Sequence, residues 1–356
     1  MRDMKERYNV EPVLLAKQES KFSRLCRKNG IEVIVQRYYS WSNSRNTFIN
    51  RLKGYVKNFL NAIYFRRKVL SLFENEHFDI IHTNSSITDM GDTIANHYHI
   101  PHVWHLREYG YYYSYPEDNV RAKHARTTMN VVISQFSYDI YTSQNKLCSP
   151  QNTKVIYDGI NISAPFTKRP PSHKHIHFCM TGNFDFIKNQ MMAAKACEKL
   201  RALTPNFTLH FVGKDTKGYA RSVKNFVRSH GLEDCVKFWG ERSDVGEILR
   251  DMDVGLITSE REGFGRVTVE YMLNYMPVIG TDAGATPEIV VDGETGYIVP
   301  LNDPDKIAEI MYSFIEHPEQ IPAMGMKGRE RAVQNFSLER NTDEIYALYQ
   351  EILGRR

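Results

Sequence analysis

The sequence predicts an α/β protein of two doubly wound domains, and three observations predict it. Short apolar runs alternate with helical stretches along nearly the whole chain, the rhythm of parallel sheets covered on both faces. A proline-bearing polar stretch, Pro165–Lys174 (P-F-T-K-R-P-P-S-H-K), interrupts that rhythm as a linker does. A glycine-bearing turn, Ser259–Tyr271 (S-E-R-E-G-F-G-R-V-T-V-E-Y), joins an apolar run to a helix, at the strand end where such sheets bind ligands.

Taken in order, Arg2–Asn9 reads as the tail of a helix and Glu11–Lys17 as the first strand. Ser20–Lys28 has helical spacing and stops at Asn29-Gly30, a good C-terminal cap. Ile31–Gln36, Asp79–Ser85, Pro101–Leu106, Val131–Ser134 and Lys154–Tyr157 read as further strands, with a helix around Asp89–His97. Beyond the linker the strands are Ile176–Met180, Leu209–Val212, Val236–Trp239, Val254–Thr258, Pro277–Gly280 and Tyr297–Val299. Asn341–Leu353 closes the chain as an amphipathic helix with Ile345, Leu348, Tyr349 and Ile352 on one side. Two Rossmann-like domains facing across a cleft are the expected architecture, divided as 1–168, 169–340 and a final helix 341–356.

The 356 residues are enough for two sizeable cores, and the composition, 42% apolar and 25% charged, is that of a globular protein. No apolar run approaches the length of a membrane span, and the N-terminus lacks the order of a signal peptide. Cys26, Cys148, Cys179, Cys197 and Cys235 form no C-x-x-C pair, so reduced, buried thiols in a cytoplasmic protein are expected. Charge is uneven: residues 1–160 carry 22 Lys and Arg against 15 Asp and Glu, and the rest 24 against 27. An anionic surface should therefore meet the first part.

Gly263 and Gly265 let the backbone come close to a ligand, and the helix after them begins with unpaired N–H groups and a partial positive charge. Glu262 and Glu270 bracket that turn with seven residues between them. An anion site flanked by acids suits a ligand with phosphates and hydroxyls, such as a nucleotide sugar. His173, His175 and His177 alternate like a solvated strand edge rather than a metal site. Asp251-Met252-Asp253 precedes a strand instead of following one, and reads as a helix end. No metal site is expected.

Four consecutive segments carry a resemblance: F-W-G-E-R-S-D, D-V-G-L-I-T-S-E-R-E-G-F-G-R-V-T-V-E, P-V-I-G-T-D-A-G-A-T-P-E-I-V and D-G-E-T-G-Y-I-V-P. In order and spacing they resemble the retaining GT-B glycosyltransferases of family four (glycosyl transferases group 1). I-P-H-V-W-H-L-R-E, V-V-I-S-Q-F-S and K-V-I-Y-D-G-I-N extend the likeness more loosely into the first half. The resemblance implies the GT-B fold, with its C-terminal helix returning toward the first domain. It implies that Glu270 binds the ribose hydroxyls, that Glu262 faces the donor sugar, and that Gly263, Phe264 and Gly265 meet sugar and diphosphate. Lys188, in T-G-N-F-D-F-I-K-N after Gly182, corresponds to the lysine that neutralises the diphosphate, and Gly240, Glu241 and Arg242 to the loop that holds the base. His105 corresponds to the histidine near the reacting carbon. Leaving-group charge would be stabilised by a lysine and a helix N-terminus, without metal or other cofactor.

Two departures accompany it. Asn183 stands where the family usually has arginine, and the family's opening strand and glycine-rich loop are not found before Arg2, so either a start upstream of Met1, the favoured reading, or loss of part of the active-site wall is expected. The implied function is transfer of a hexose or N-acetylhexosamine, with retained configuration, from a nucleotide sugar (a UDP-sugar) to a polysaccharide or lipid-linked glycan. The alternative is a catalytically silent relative that acts as partner or scaffold of an active glycosyltransferase; a GT-B epimerase fits the carboxylate pair less well.

Arg37–Phe73 holds eight Lys or Arg and no acid. Phe48, Leu52, Val56, Phe59 and Ile63 recur at helical spacing, with Tyr38, Tyr39, Trp41, Tyr64 and Phe65 near the ends. A basic amphipathic helix of this kind lies flat on anionic lipid, with Lys53, Lys57, Arg66, Arg67 and Lys68 at the membrane. The plain alternative is a helix whose stripe packs on the first-domain sheet. The expected partners are thus a nucleotide-sugar donor, a glycan or glycolipid acceptor and an anionic membrane surface at the cytoplasmic face; nucleic acid is not expected, since no binding motif accompanies the charge.

Overall fold

The structure, a computed structural model, describes residues 1–39, 42–43, 48–108, 112–113, 117–162, 168, 175–216 and 218–354. Trp41, the side chain of Phe48, His173 and nearly all of the linker Pro165–Lys174 lie outside the described residues. The chain divides into two compact units, Met1–Tyr157 with Glu339–Arg356, and Asp158–Leu338. The division falls before the expected linker, because Ile160 N–H donates to Phe336 O (2.9 Å) and Leu338 N–H to Ile160 O (2.9 Å), tying this stretch to the second unit.

In the first unit the strands are β1 (Val13–Ala16), β2 (Glu32–Val35), β3 (Ser42–Asn43), β4 (Ile81–Thr83), β5 (His102–Leu106), β6 (Tyr112–Tyr113), β7 (Met129–Val132) and β8 (Thr153–Val155). The parallel sheet runs β4-β5-β7-β8. Strands β1 and β2 pair in parallel as a separate sheet, and β3 pairs antiparallel with β6. No ladder joins β1-β2 to β4 among the described residues. Side-chain packing makes that connection: Leu15, Ile34 and Ile81 lie against Val69, Phe73, Met90 and Ile94 of two helices. The helix Lys21–Lys28 starts with a reciprocal cap, Ser23 N–H to Ser20 Oγ (3.0 Å) and Ser20 N–H to Ser23 Oγ (2.8 Å).

Strand alternation gives the four-stranded sheet two apolar faces. Trp104, Leu106 and Val132 pack with Val120 and Tyr141, whereas Val103, Met129 and Val131 pack with Leu348 and Ile352. The last helix, Leu338–Gly354, thus covers one face with the side that its spacing marked as apolar.

Below the first-unit helices lies a buried charge network. Asp92 accepts from Arg126 Nε (2.8 Å), Arg126 Nη2 (2.6 Å) and Lys123 Nζ (3.2 Å), and Asp89 from Lys123 (2.6 Å) and Arg66 (2.5 Å). Burial alone would push the Asp92 carboxyl up; Arg126 and Lys123 outweigh it and hold it below the usual aspartate value. The contribution is therefore complete above the unfolded value of about 3.9 and is lost as pH falls through the lower folded value.

The second unit is one six-stranded parallel sheet of β9 (Ile176–Thr181), β10 (Phe207–Val212), β11 (Val236–Gly240), β12 (Val254–Ile257), β13 (Val278–Thr281) and β14 (Gly296–Val299), in the order β11-β10-β9-β12-β13-β14. Its strands are nearly continuous apolar runs, as strands buried on both faces must be. Helices Gln190–Leu203 and Pro304–Glu316 bring Ala196, Cys197, Leu200, Met311 and Phe314 onto that core. The five cysteines are all buried and unpaired. Both units are α/β folds built on parallel sheets, as the sequence predicts, and the second is doubly wound.

Asp92→Asn is expected to destabilise the protein by about 1–3 kcal/mol in urea unfolding at neutral pH, because mostly buried Lys123 keeps only Asp89 and Arg126, which reaches solvent, loses its carboxylate. Asp118→Ala, which removes an exposed pair with Arg121, should cost under about 0.5 kcal/mol.

Candidate functional site

The order of the second sheet locates the site before any side chain is considered. Successive strands β9, β10 and β11 step to one side, and β12, β13 and β14 build on the other side of β9. The connections therefore diverge between β9 and β12, and their carboxyl ends leave a crevice. Gly182–Asn189 follows β9, and Thr258–Gly265 follows β12.

These two loops are joined directly. Thr258 Oγ1 donates to the carbonyls of Lys188 and Asn189 (2.9 Å each), and Glu260 N–H to Ile187 O (2.8 Å). Lys188 Nζ then meets Glu262 Oε2 at 2.5 Å, so the cation of one loop pairs with the acid of the other. Both side chains keep part of their surface in solvent, which leaves the pair reachable by a ligand.

Glycines set the approach of the neighbouring loops. A Cβ on Gly213, after β10, would stand 1.9 Å from Gly182 O, and one on Gly284, after β13, would stand 2.4 Å from Glu262 N and O. Ala285 N–H donates to Glu262 O (2.8 Å), and Gly213 N–H to Gly240 O (2.8 Å). Backbone contacts thus run from the end of β11 through Gly213 to Gly182, and from Gly284 and Ala285 to Glu262.

The helix Arg266–Leu273 begins at Gly265, whose φ of 89° is left-handed and which carries no side-chain cap. Phe264 turns inward against Phe336, with ring centroids 5.6 Å apart. Tyr271 is buried beneath, and its hydroxyl accepts Thr181 N–H at the end of β9 (2.6 Å). Glu270 lies one turn along the helix, half-buried; burial raises its pKa above the ordinary glutamate value, and Arg266 partly offsets this. Arg266 in turn lies 4.0 Å from buried Asp158.

At the β11 end, Gly240, Glu241 and Arg242 are exposed. Glu241 pairs with Lys214 (3.0 Å), and Arg242 pairs with Asp244 and lies over the Trp239 ring (5.6 Å). Asn183 is exposed, and its carbonyl accepts from Gln190 Nε2 (3.1 Å). The structure therefore brings Lys188, Glu262, Gly263 and Gly265 together, and joins Gly182 to Gly240 through Gly213. Sequence reasoning missed Gly213, Gly284 and Thr258; for Gly213 and Thr258 a glycine or hydroxyl residue directly after the apolar run was the signal, and Gly284, three residues beyond β13, had none.

In the first unit, His105 belongs to β5 and is only 2% exposed. Burial, with His82 and Arg107 nearby, pulls its pKa well below the usual imidazole value, so the ring is neutral at pH 7. Its Nε2 has no hydrogen-bond partner among the described residues. Just beyond it, Glu108 accepts from Ser85 Oγ (2.8 Å) and Ser86 N–H (2.8 Å).

His177 stands on the central strand β9 and not on a solvated edge, and Asp251 ends a helix as expected. His177 Nδ1 lies 3.1 Å from His210 Nε2, and buried Asp253 accepts the His177 N–H (2.8 Å). The membrane-facing set needs one correction. Lys53, Arg67 and Lys68 are exposed and Lys57 is half-exposed, but Arg66 turns inward to Asp89 at 2.5 Å. A buried carboxylate attracts that guanidinium more strongly than solvent does.

This fold matches that of GT-B glycosyltransferase structures. Residues 164–331 match the family "Glycosyl transferases group 1" and residues 21–164 match "Glycosyltransferase Family 4", so each half of the chain carries a domain of these families. It is 31% identical over 132 residues to the N-acetyl-alpha-D-glucosaminyl L-malate synthase of Bacillus anthracis, covering 37% of this chain and 35% of that one. It is 33% identical over 136 residues to the lipopolysaccharide core biosynthesis mannosyltransferase LpcC of Rhizobium leguminosarum bv. viciae, covering 38% and 39%. The chain thus spans under half the length of these relatives. The structure of Anabaena HepE in complex with UDP shares the fold, with a TM-score of 0.77 at 21% identity over 98% of this chain and 94% of that one.

Gly213→Ala is expected to cost roughly 1–3 kcal/mol in chemical denaturation, since the added methyl meets a backbone carbonyl that cannot step aside. Gly246→Ala, in a helix with nothing within 4 Å, should be neutral or stabilise by up to about 1 kcal/mol.

Proposed function

We propose that the protein transfers a hexose or N-acetylhexosamine, with retained configuration, from a nucleotide sugar (a UDP-sugar) to a glycan or lipid-linked acceptor. The observation that carries this reading is the Lys188–Glu262 pair at the switch point of the second sheet, beside an uncapped helix start and one turn from Glu270. The relatives' names, a glucosaminyl-malate synthase and a lipopolysaccharide core mannosyltransferase, support transfer of an N-acetylhexosamine or a hexose, and the second supports a glycan acceptor.

In this reading the donor diphosphate takes Lys188 away from Glu262 and lies against the helix start at Gly265. Charge that develops on the leaving phosphate as the anomeric bond breaks is met by the ammonium and by helix N–H groups already in place. No reorganisation or metal is then required. Glu262, released, accepts hydroxyls of the sugar, and Glu270 accepts those of the ribose. Gly240, Glu241 and Arg242 flank the base. Asn183 supplies hydrogen bonds without charge, so Lys188 is the principal cation of the diphosphate.

Calorimetry with UDP tests the reading. Wild type should bind, Glu270→Ala should bind at least tenfold more weakly, and Lys188→Ala should lose more affinity for UDP than for uridine. Absence of UDP binding by wild type, or equal binding by all three, would overturn it. Because the ribose needs the ionised Glu270, UDP affinity should fall as pH is lowered through its raised pKa, and the Glu270→Gln profile should lack that component.

A further inference from the structure

The helix Phe48–Leu60 continues through a π-helical segment, Asn61–Phe65, into Arg66–Ser71 as one rod, and its seating is the reverse of an ordinary surface helix. The side held by the first unit is lined by a glycine and an amide. Gly54 and Asn61 are buried, and the Asn61 side chain exchanges two hydrogen bonds with the Tyr39 backbone, both 2.8 Å. Val69 and the inward Arg66 fix the far end. On the opposite side, Ile49, Leu52, Val56, Phe59 and Ile63 recur at helical spacing, each between 48% and 64% exposed. Tyr55 and Tyr64 flank them, half exposed. The structure thus turns the stripe outward, against the plain alternative that it packs on the sheet.

Single exposed apolar residues are ordinary, but a continuous stripe of them marks a surface that something covers. Charge says what. Arg37–Phe73 carries eight Lys or Arg and no acid, and Lys53, Arg67 and Lys68 are exposed. A second copy of the chain would set these cations against themselves across a two-fold axis. Nucleic acid would satisfy the cations and leave the stripe in water. An anionic bilayer satisfies both at once, with apolar side chains at the acyl boundary, tyrosines at headgroup level and lysines on lipid phosphates. Among the described residues no helix is long and apolar enough to cross a membrane, and the stripe suits a helix lying in the plane.

We propose that the exposed face of the Phe48–Ile63 helix docks the first unit on an anionic lipid surface. The proposal does not depend on the transferase reading. Flotation of the full chain with phosphatidylcholine vesicles, with and without phosphatidylglycerol, tests it. Wild type should float only with the anionic vesicles and release as salt is raised. Val56→Asp/Phe59→Asp and Lys53→Glu/Lys57→Glu should each weaken binding by about tenfold or more. Leu203→Asp, which changes an exposed apolar residue of the second unit, should bind as wild type does. Unchanged melting temperatures would show that the variants fold, as substitutions at exposed positions should. Failure of wild type to float, equal flotation of wild type and stripe variants, or a wild-type dimer in light scattering that Val56→Asp/Phe59→Asp converts to monomer without any flotation would each overturn the proposal.

Discussion

The site depends on backbone meeting backbone without side chains between. Gly182 and Gly213 bring the ends of β9 and β10 so close that a single methyl would collide with a carbonyl. Gly284 does the same for Glu262 from the end of β13. These contacts, with the two carbonyl bonds of Thr258, leave the loops after β9 and β12 little freedom except at their side chains. Lys188 and Glu262 therefore meet through a scaffold already made, and the entropy of ordering them is largely met by folding. Their mutual attraction is moderate because both reach solvent, which suits a pair that a ligand must separate.

The first unit uses charge in a different way. Asp89 and Asp92 are buried and hold three cations, and one of these, Arg66, belongs to the rod that carries the exposed stripe. A helix with its apolar side outward gains little from hydrophobic burial where it sits. Directional bonds take that place: Arg66 to Asp89, and Asn61 to the Tyr39 backbone. Such bonds fix orientation in a way that non-directional apolar packing does not. The opposite face of this unit shows the usual arrangement, with Leu348 and Ile352 of the last helix closing over Val103 and Val131.

Much of the fold was legible because strand and helix periodicities are local. The apolar runs located the six strands of the second sheet and the main sheet of the first, and the spacing in Asn341–Leu353 marked the side that packs. Glu262 and Glu270 stood out as candidates only through the order of four neighbouring segments, and Lys188 only through its place after Gly182, since an isolated Glu pair or lysine is commonplace. The inward turn of Arg66 was not legible. Its partner, Asp89, is distant in sequence, and three adjacent cations, Arg66, Arg67 and Lys68, gave no sign of which would turn in. The separation of β1-β2 from β4 was hidden too, because an apolar run shows that a strand is buried but not which strand it pairs with.

By itself, then, the sequence determined the α/β class, the glycine turn at Gly263–Gly265 and the existence of a basic apolar helix, because each is written in residues close along the chain. The tertiary structure alone decided which loops touch, that Gly213 and Gly284 are positions where only hydrogen fits, and that the apolar stripe faces solvent. Amphipathic spacing separates the two sides of a helix without saying which one is covered. That choice rests on what the neighbouring elements present, here a backbone awaiting Asn61 and a carboxylate awaiting Arg66.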